Sequence, residues 1–168
     1  MLKKFIIGIF KPKFLFRYIV KSKVRKCKGK LSVNGFSTVN NNTRLGYNVN
    51  FNGMKITGKG CCTIGDNFHS GTNCQIMTDY HNYDCGTKIP YDNTVIVKDV
   101  VIGDNVWLGN NVIVLPGVTI GEGAVIQAGS VVVKDIPALS VAGGHPAKVF
   151  KMRDIEHYKR LKEQKQFF

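Results

Sequence analysis

From Ile96 to Pro137 an aliphatic residue returns at every sixth position without a slip: Ile96, Ile102, Leu108, Val114, Ile120, Ile126 and Val132. A second series, small or apolar, follows four places behind it, at Val100, Val106, Val112, Val118, Ala124, Ser130 and Ile136. A half-buried strand repeats about every 2 residues and an amphipathic helix about every 3.6, so neither explains the comb. A period of six means one short strand and one turn per unit. Such units stack as a parallel β-solenoid whose inward residues form continuous columns, three units to a triangular coil. Gly103, Gly109 and Gly121 recur at the turns, where the expected reason is a backbone conformation that a Cβ opposes.

A less regular stretch of the same pattern covers residues 31–81, with Leu45-Gly46, Ile64-Gly65-Asp66-Asn67, Ser70-Gly71 and Ile76 as its landmarks. Leu45 and Ile64 are nineteen residues apart, one more than three hexads, which predicts a bulge. Between Ile76 and Ile96 the segment HNYDCGTKIPYDNT, about residues 81–94, has no aliphatic comb and many turn-forming residues. It is expected to leave the solenoid as a loop, and function concentrates on loops carried by rigid scaffolds. Beyond Pro137, SVAGGHPAKVF reads as a turn-rich exit. Residues 154–165 then read as a helix that packs back through Ile155, Tyr158 and Leu161. The chain divides into a segment 1–30, a solenoid 31–150 and a C-terminal helical segment 151–168.

The formal net charge of +13 is localised. Residues 1–30 carry eleven Lys or Arg and no acid, whereas residues 31–147 hold six basic and eight acidic side chains. That basic start interleaves cations with Phe5, Ile6, Ile9, Phe10, Phe14, Phe16, Ile19 and Val20, and reads as one or two short amphipathic helices. Two roles remain open for it: capping the open end of the solenoid, and peripheral contact with an anionic membrane surface. The interleaved aliphatics suit burial or lipid better than nucleic acid, so no nucleic-acid partner is expected. The uncharged run Phe5–Phe10 is too short for a signal-peptide core or a membrane span. Five cysteines (Cys27, Cys61, Cys62, Cys74, Cys85) make no C-x-x-C pair and no metal-ligand spacing, and they favour reduced thiols in the cytosol.

The run IGDNVWLGNNVIVLPGVTIGEGAVIQAGSVVVKDIP, followed by VAGGHPAKVFKMRD, resembles the hexapeptide-repeat acyltransferases. Within them it is similar to the branch holding galactoside and maltose acetyltransferases, xenobiotic acetyltransferases and bacterial polysaccharide O-acetyltransferases. The resemblance covers about residues 45–153. It implies an all-β fold, a left-handed parallel β-helix, against the right-handed rule for most crossovers. It also implies a homotrimer with acetyl-CoA bound as co-substrate in clefts between subunits, and no metal.

The resemblance assigns the general base to His81, which opens the loop in TDYHNYD. A hydroxyl is a poor nucleophile until its proton is being removed, and neutral imidazole titrates near working pH. Asn50, in NVNFNG, matches a motif asparagine that orients the acceptor or stabilises the developing oxyanion, with Asn48 the rival position. Asp79, Asp84 and Tyr91 flank or lie on the loop; each stands open to orienting His81, contacting acceptor hydroxyls or being solvated. For the coenzyme the match points to Asn110, Ala128, Lys134, Lys148 and Lys151, the lysines serving as point charges for nucleotide phosphates. Trp107 either walls that cleft or packs between coils. His69, at the end of a hexad, reads as a coil-surface residue. His145 stands in AGGHPAK where the resembling proteins usually have a small or amide residue, which leaves the form of the exit turn open. His157 reads as exposed on the terminal helix.

The expected function is thus acetyl transfer from acetyl-CoA to a sugar hydroxyl in bacterial surface polysaccharide biosynthesis, in the cytoplasm or at the inner face of its membrane. Three alternatives stand beside it. One is N-acetylation of an amino sugar nucleotide, and another is acetylation of an antibiotic by a detoxifying relative. The third is a non-catalytic β-helix that only binds. A three-histidine zinc site of the carbonic-anhydrase kind lacks a convincing third ligand beside His69 and His81.

Overall fold

A computed structural model describes residues 12–168, so the reading of residues 1–11 lies outside the described part of the chain. Helix α1 (Pro12–Lys23) precedes strands β1 (Lys26–Cys27), β2 (Leu31–Gly35), β3 (Thr43–Leu45), β4 (Val49–Thr57), β5 (Cys62–Ile64) and β6 (His69–Met77). A hairpin of β7 (Asp79–His81) and β8 (Val95–Val97) follows. The regular coils contribute β9 (Val100–Ile102), β10 (Trp107–Leu108), β11 (Ile113–Val114), β12 (Thr119–Ile120), β13 (Val125–Ile126) and β14 (Val131–Val132). The exit is β15 (Ser140–Gly144), β16 (Ala147–Met152) and helix α2 (Ile155–Glu163).

The strands stack into a left-handed parallel β-helix with three faces. On the first, β1, β3, β5, β9 and β12 run parallel in register, Leu45 on Ile64, Ile64 on Ile102, Ile102 on Ile120. Strands β4 and β6 are long enough to bend round a corner. Their first halves lie on the second face with β2, β10, β13 and β15, and their second halves on the third face with β11 and β14. The comb's two series point inward as expected: from Val100 to Ile136 every member is at most 5% exposed. Ile96 is the exception. It pairs with Tyr80 in the β7–β8 hairpin, because the chain leaves the coil at Thr78 and returns at Lys98, whose amide donates to the Thr78 carbonyl (3.0 Å). A register shift between β4 and β6 at Asn50–Asn52 sets two residues of β4 against three of β6, from His69 to Thr72, so this irregularity lies in β6 and not in the Leu45–Ile64 span where a bulge was expected.

The turn glycines act for a different reason from the one expected. Gly109 does not have a positive φ; a Cβ there would lie 2.5 Å from the backbone nitrogen of Ala128 in the next coil. Coils stack so closely at this step that only hydrogen fits. The left-handed corner conformation is instead taken by Asn48, Asn67 and Asn105 at one corner and Asn73 and Asn111 at another, with φ of 54–58°. Asparagine tolerates that region because its amide bonds locally. Here the amides form a ladder up the corner: Asn48 Nδ2 donates to Asn67 Oδ1 (3.1 Å), and Asn67 Nδ2 to Asn105 Oδ1 (3.0 Å).

Helix α1 closes one end of the solenoid. Val20 is fully buried, Phe16 and Val24 pack against the core, and Phe16 meets Phe36 edge-on at 5.8 Å. Its other side leaves Phe14, Leu15 and Tyr18 exposed among Lys13, Arg17 and Lys21. At the far end β16 turns back antiparallel on β15 through His145-Pro146, with a register shift between Val141 and Ala142, and His145 is exposed in the connecting turn. The Asp154 side chain caps α2 by accepting from the His157 amide (2.9 Å), and α2 packs back on the corner ladder through Tyr158, with Leu161 beside it, while Ile155, expected on the same packing face, is exposed. The Tyr158 hydroxyl accepts from Asn105 and donates to Glu122, each at 2.9 Å. Burial, then the Glu122 carboxylate, push the Tyr158 phenol up to about 12.

Candidate active site

His81 ends β7 on the excursion hairpin and is exposed, its ring flat against Tyr91 with centroids 3.9 Å apart and planes 13° from parallel. The loop that presents Tyr91 is organised by its neighbour Asp92, which no motif in the sequence marks. Asp92 accepts from the Thr94 hydroxyl and amide (2.5 and 2.8 Å) and the Thr87 amide (2.9 Å). Those hydrogen bonds, Thr94's foremost, hold its carboxyl down near about 2. Asp79 turns away from the loop, and its Oδ2 accepts from the Lys59 amide (2.9 Å). Asp84 is exposed on the loop. Among the described residues no carboxylate is hydrogen-bonded to His81.

The second face carries a groove of about 400 Å³ lined by Trp107, Gly109, Asn110, Gln127, Ala128 and Phe150, among others. Trp107 projects outward, 56% exposed, as a wall of this groove; it does not pack between coils. Asn110 Oδ1 accepts from the Thr72 amide of the preceding coil (2.8 Å), which fixes the side chain at the groove's edge. This belongs to a repeated device: Asp66, Asp104 and Asp135 each take a backbone amide from the neighbouring coil in the same way. Beside Ala128, a Cβ on Gly129 would meet nothing within 4 Å, so the approach there is open. Lys148 and Lys151 are exposed on β16, paired with Gly143 and Val141, and Lys134 is exposed just after β14. No residue of the β7–β8 hairpin lines the groove, so within one chain His81 stands apart from it.

A third group lies on the same face as Trp107. Asn50, His69 and Trp107 are register partners on β4, β6 and β10, their side chains stacked outward. Asn50 Nδ2 lies 3.0 Å from His69 Nε2 and 3.5 Å from the Asn48 carbonyl. Asn48 itself is a buried corner residue committed to the ladder, so Asn50 alone of the two faces outward. His69 is half-buried rather than a free surface residue, and meets the Phe168 ring edge-on at 5.0 Å. Burial, then the Lys30 charge, hold its imidazole below the usual value of 6.5. A cavity of about 220 Å³ opens beside it, walled by Asn67, Asn105, Arg153, Tyr158 and Phe168, among others. The signal for His69 was present in the spacing, nineteen residues after Asn50 and thirty-eight before Trp107, but it needs the pairing register to be read.

All five cysteines are free thiols. Burial pushes the Cys62 and Cys74 thiols up, which makes them poor nucleophiles. Among the described residues no three His, Cys, Asp or Glu side chains gather as metal ligands, and no helix is long and apolar enough to cross a membrane.

Comparison with known proteins bears on this geometry. Residues 99–134 match the family model described as bacterial transferase hexapeptide (six repeats). A solved maltose O-acetyltransferase from Clostridium difficile is 34% identical, over 84% of this chain and 74% of that one, with a TM-score of 0.69. A galactoside acetyltransferase solved with coenzyme A is 30% identical, over 87% and 72%, with a TM-score of 0.72. An acetyltransferase of Schizosaccharomyces pombe is 44% identical over 119 residues; the aligned stretch spans 67% of this chain but only 56% of that relative.

Proposed function

The chain belongs to the hexapeptide-repeat acetyltransferase family, and on that premise we propose that it transfers the acetyl group of acetyl-CoA to a sugar hydroxyl, in bacterial surface polysaccharide biosynthesis. The observation that carries this reading is His81, exposed at the rim of a hairpin with its ring braced flat on Tyr91. Stacking limits the ring's rotation while leaving its edge nitrogens free to take a proton. His81 removes the acceptor proton as the hydroxyl oxygen attacks the thioester carbonyl; the C–S bond then breaks and coenzyme A leaves as thiolate. Asn50 orients the acceptor or stabilises the oxyanion. Asp84 and Tyr91 contact the acceptor from the loop, while Asp79 supports the hairpin's base through the Lys59 amide.

The pantetheine arm of acetyl-CoA lies in the groove at Asn110 and Ala128, beside Trp107, with Lys134, Lys148 and Lys151 near its phosphates. Because the hairpin does not line that groove, the complete site needs His81 from one copy and the groove of another, as in a homotrimer. The basic, aromatic outer side of α1 suits an anionic membrane surface at the cytoplasmic side, where lipid-linked sugar precursors are held. Sedimentation with vesicles of mixed anionic and neutral lipid tests that contact; recovery only in the supernatant removes it.

Free-thiol release from acetyl-CoA with a panel of hydroxylated and aminated sugars tests the activity. His81→Ala is expected to lower kcat by about 10²–10⁴-fold with little change in the KM for acetyl-CoA. A variant as fast as the parent rejects His81 as the base. Faster turnover of aminated sugars turns the reading to N-acetylation. Absence of any thermal stabilisation by coenzyme A turns it to a binding scaffold.

A further inference from the structure

We propose that His69 is a positioning residue for Asn50: as a neutral imidazole it accepts the Asn50 amide at Nε2 and so leaves the Asn50 Oδ1 facing the acceptor. The inference rests on the proposed role of Asn50 and deepens it. Asn50 Nδ2 lies within reach of two groups, the Asn48 carbonyl at 3.5 Å and His69 Nε2 at 3.0 Å, one for each of its hydrogens. A main-chain carbonyl is only an acceptor, so it fixes which end of the amide points inward. The nitrogen end therefore faces the imidazole, and His69 Nε2 must present a lone pair, with the proton on Nδ1. The remaining corner of Asn50, its carbonyl oxygen, is then free to accept from a sugar hydroxyl and aim that hydroxyl's own lone pair.

Protonation of His69 reverses this. Two donors then face each other across 3.0 Å, and the amide must turn to offer Oδ1 to the imidazolium. The end presented to the acceptor changes from acceptor to donor. The surroundings keep the ring neutral. Burial opposes its charge first, and Lys30 repels it. The groups around the adjoining cavity are engaged elsewhere: Arg153 donates to the Gly123 carbonyl, Lys162 pairs with Glu122, Tyr158 bridges Asn105 and Glu122, and the terminal main-chain oxygen of Phe168 accepts from Asn48 Nδ2 (2.6 Å). Phe168 covers the ring with an aromatic edge.

Long-range 1H–15N spectra of the labelled full-length chain read the tautomer directly. The expected result is a His69 ring protonated at Nδ1, a midpoint below the ordinary imidazole value, and Asn50 side-chain amide signals that move with that midpoint. An Nε2-protonated ring at neutral pH, or Asn50 signals blind to the His69 titration, overturns the proposal. Kinetics with maltose as the probe acceptor supply a second arm. His69→Leu is expected to lower kcat/KM for maltose about tenfold, the scale of one hydrogen bond, with the KM for acetyl-CoA unchanged. His69→Gln, whose Oε1 also accepts, restores most of it, and His69→Leu changes nothing further in an Asn50→Ala background. Losses that multiply in the double variant overturn the positioning role. If Asn50→Ala and His81→Ala both match the parent, or maltose is no substrate, the functional reading is at fault and the spectra still decide the inference.

Discussion

At the scale of single residues, the side chains of the proposed chemistry divide by what holds them. His81 is held by an aromatic plane and a loop that Asp92 ties to Thr87 and Thr94. His69 is held by the solenoid wall, and its environment has a consequence for stability. Its folded-state pKa lies below the ordinary 6.5. Above that value both folded and unfolded chains carry a neutral ring and His69 contributes no pH dependence. As the pH falls below it, the unfolded chain binds a proton that the folded chain resists, so stability declines until the folded midpoint is passed. Urea midpoints between pH 7 and 5 are expected to fall more steeply for the parent than for His69→Leu. Equal slopes would remove the link. The place of His81 at the start of the excursion loop was legible in the sequence; the contacts of His69 and Asp92 were not. Those contacts arise from partners nineteen residues away across a coil, or from a turn geometry that composition does not encode.

At the scale of elements, the comb specified nearly everything that stacks and nothing that leaves the stack. Inward positions from Val100 to Ile136 followed from the period alone, since a six-residue repeat fixes both strand and turn. The β7–β8 hairpin did not, because Ile96 continues the aliphatic rhythm while sitting outside the core. The period also misassigned the reason for the glycines, because close approach between coils and positive φ select the same residue type. Two substitutions separate these effects. Gly109→Ala puts a Cβ 2.5 Å from the Ala128 nitrogen and is expected to cost about 1–3 kcal/mol by forcing the coils apart. Asn105→Gly keeps the left-handed corner yet removes one rung of the ladder and the bond to Tyr158, an expected loss of about 1–2 kcal/mol. Denaturant titration of both measures this, and a neutral Gly109→Ala would mean the coil spacing is softer than described.

At the scale of the whole molecule, the body is a near-neutral prism with a basic end, and its proposed chemistry is divided between surfaces that one chain does not bring together. That division makes an experiment possible with two inactive proteins. His81→Ala lacks the base, and Ala128→Trp fills the groove. Unfolded together and refolded as mixed oligomers, they are expected to regain a minority of parent activity, whereas each alone stays inactive. No recovery, with mixed assembly verified by mass, would place base and groove in the same chain. Handedness came from resemblance rather than periodicity, since a column of aliphatics is silent about the sense of winding.

A stack of coils has no natural length; each finished turn is a template for the next, whether from the same chain or another. The buried side of α1, seated by Val20 and Phe16, works as a stopper on that growth at the β1–β2 end. Val20→Asp, which unseats the helix while leaving the coils intact, should therefore convert a discrete particle into end-to-end fibres, visible by light scattering before any loss of sheet signal.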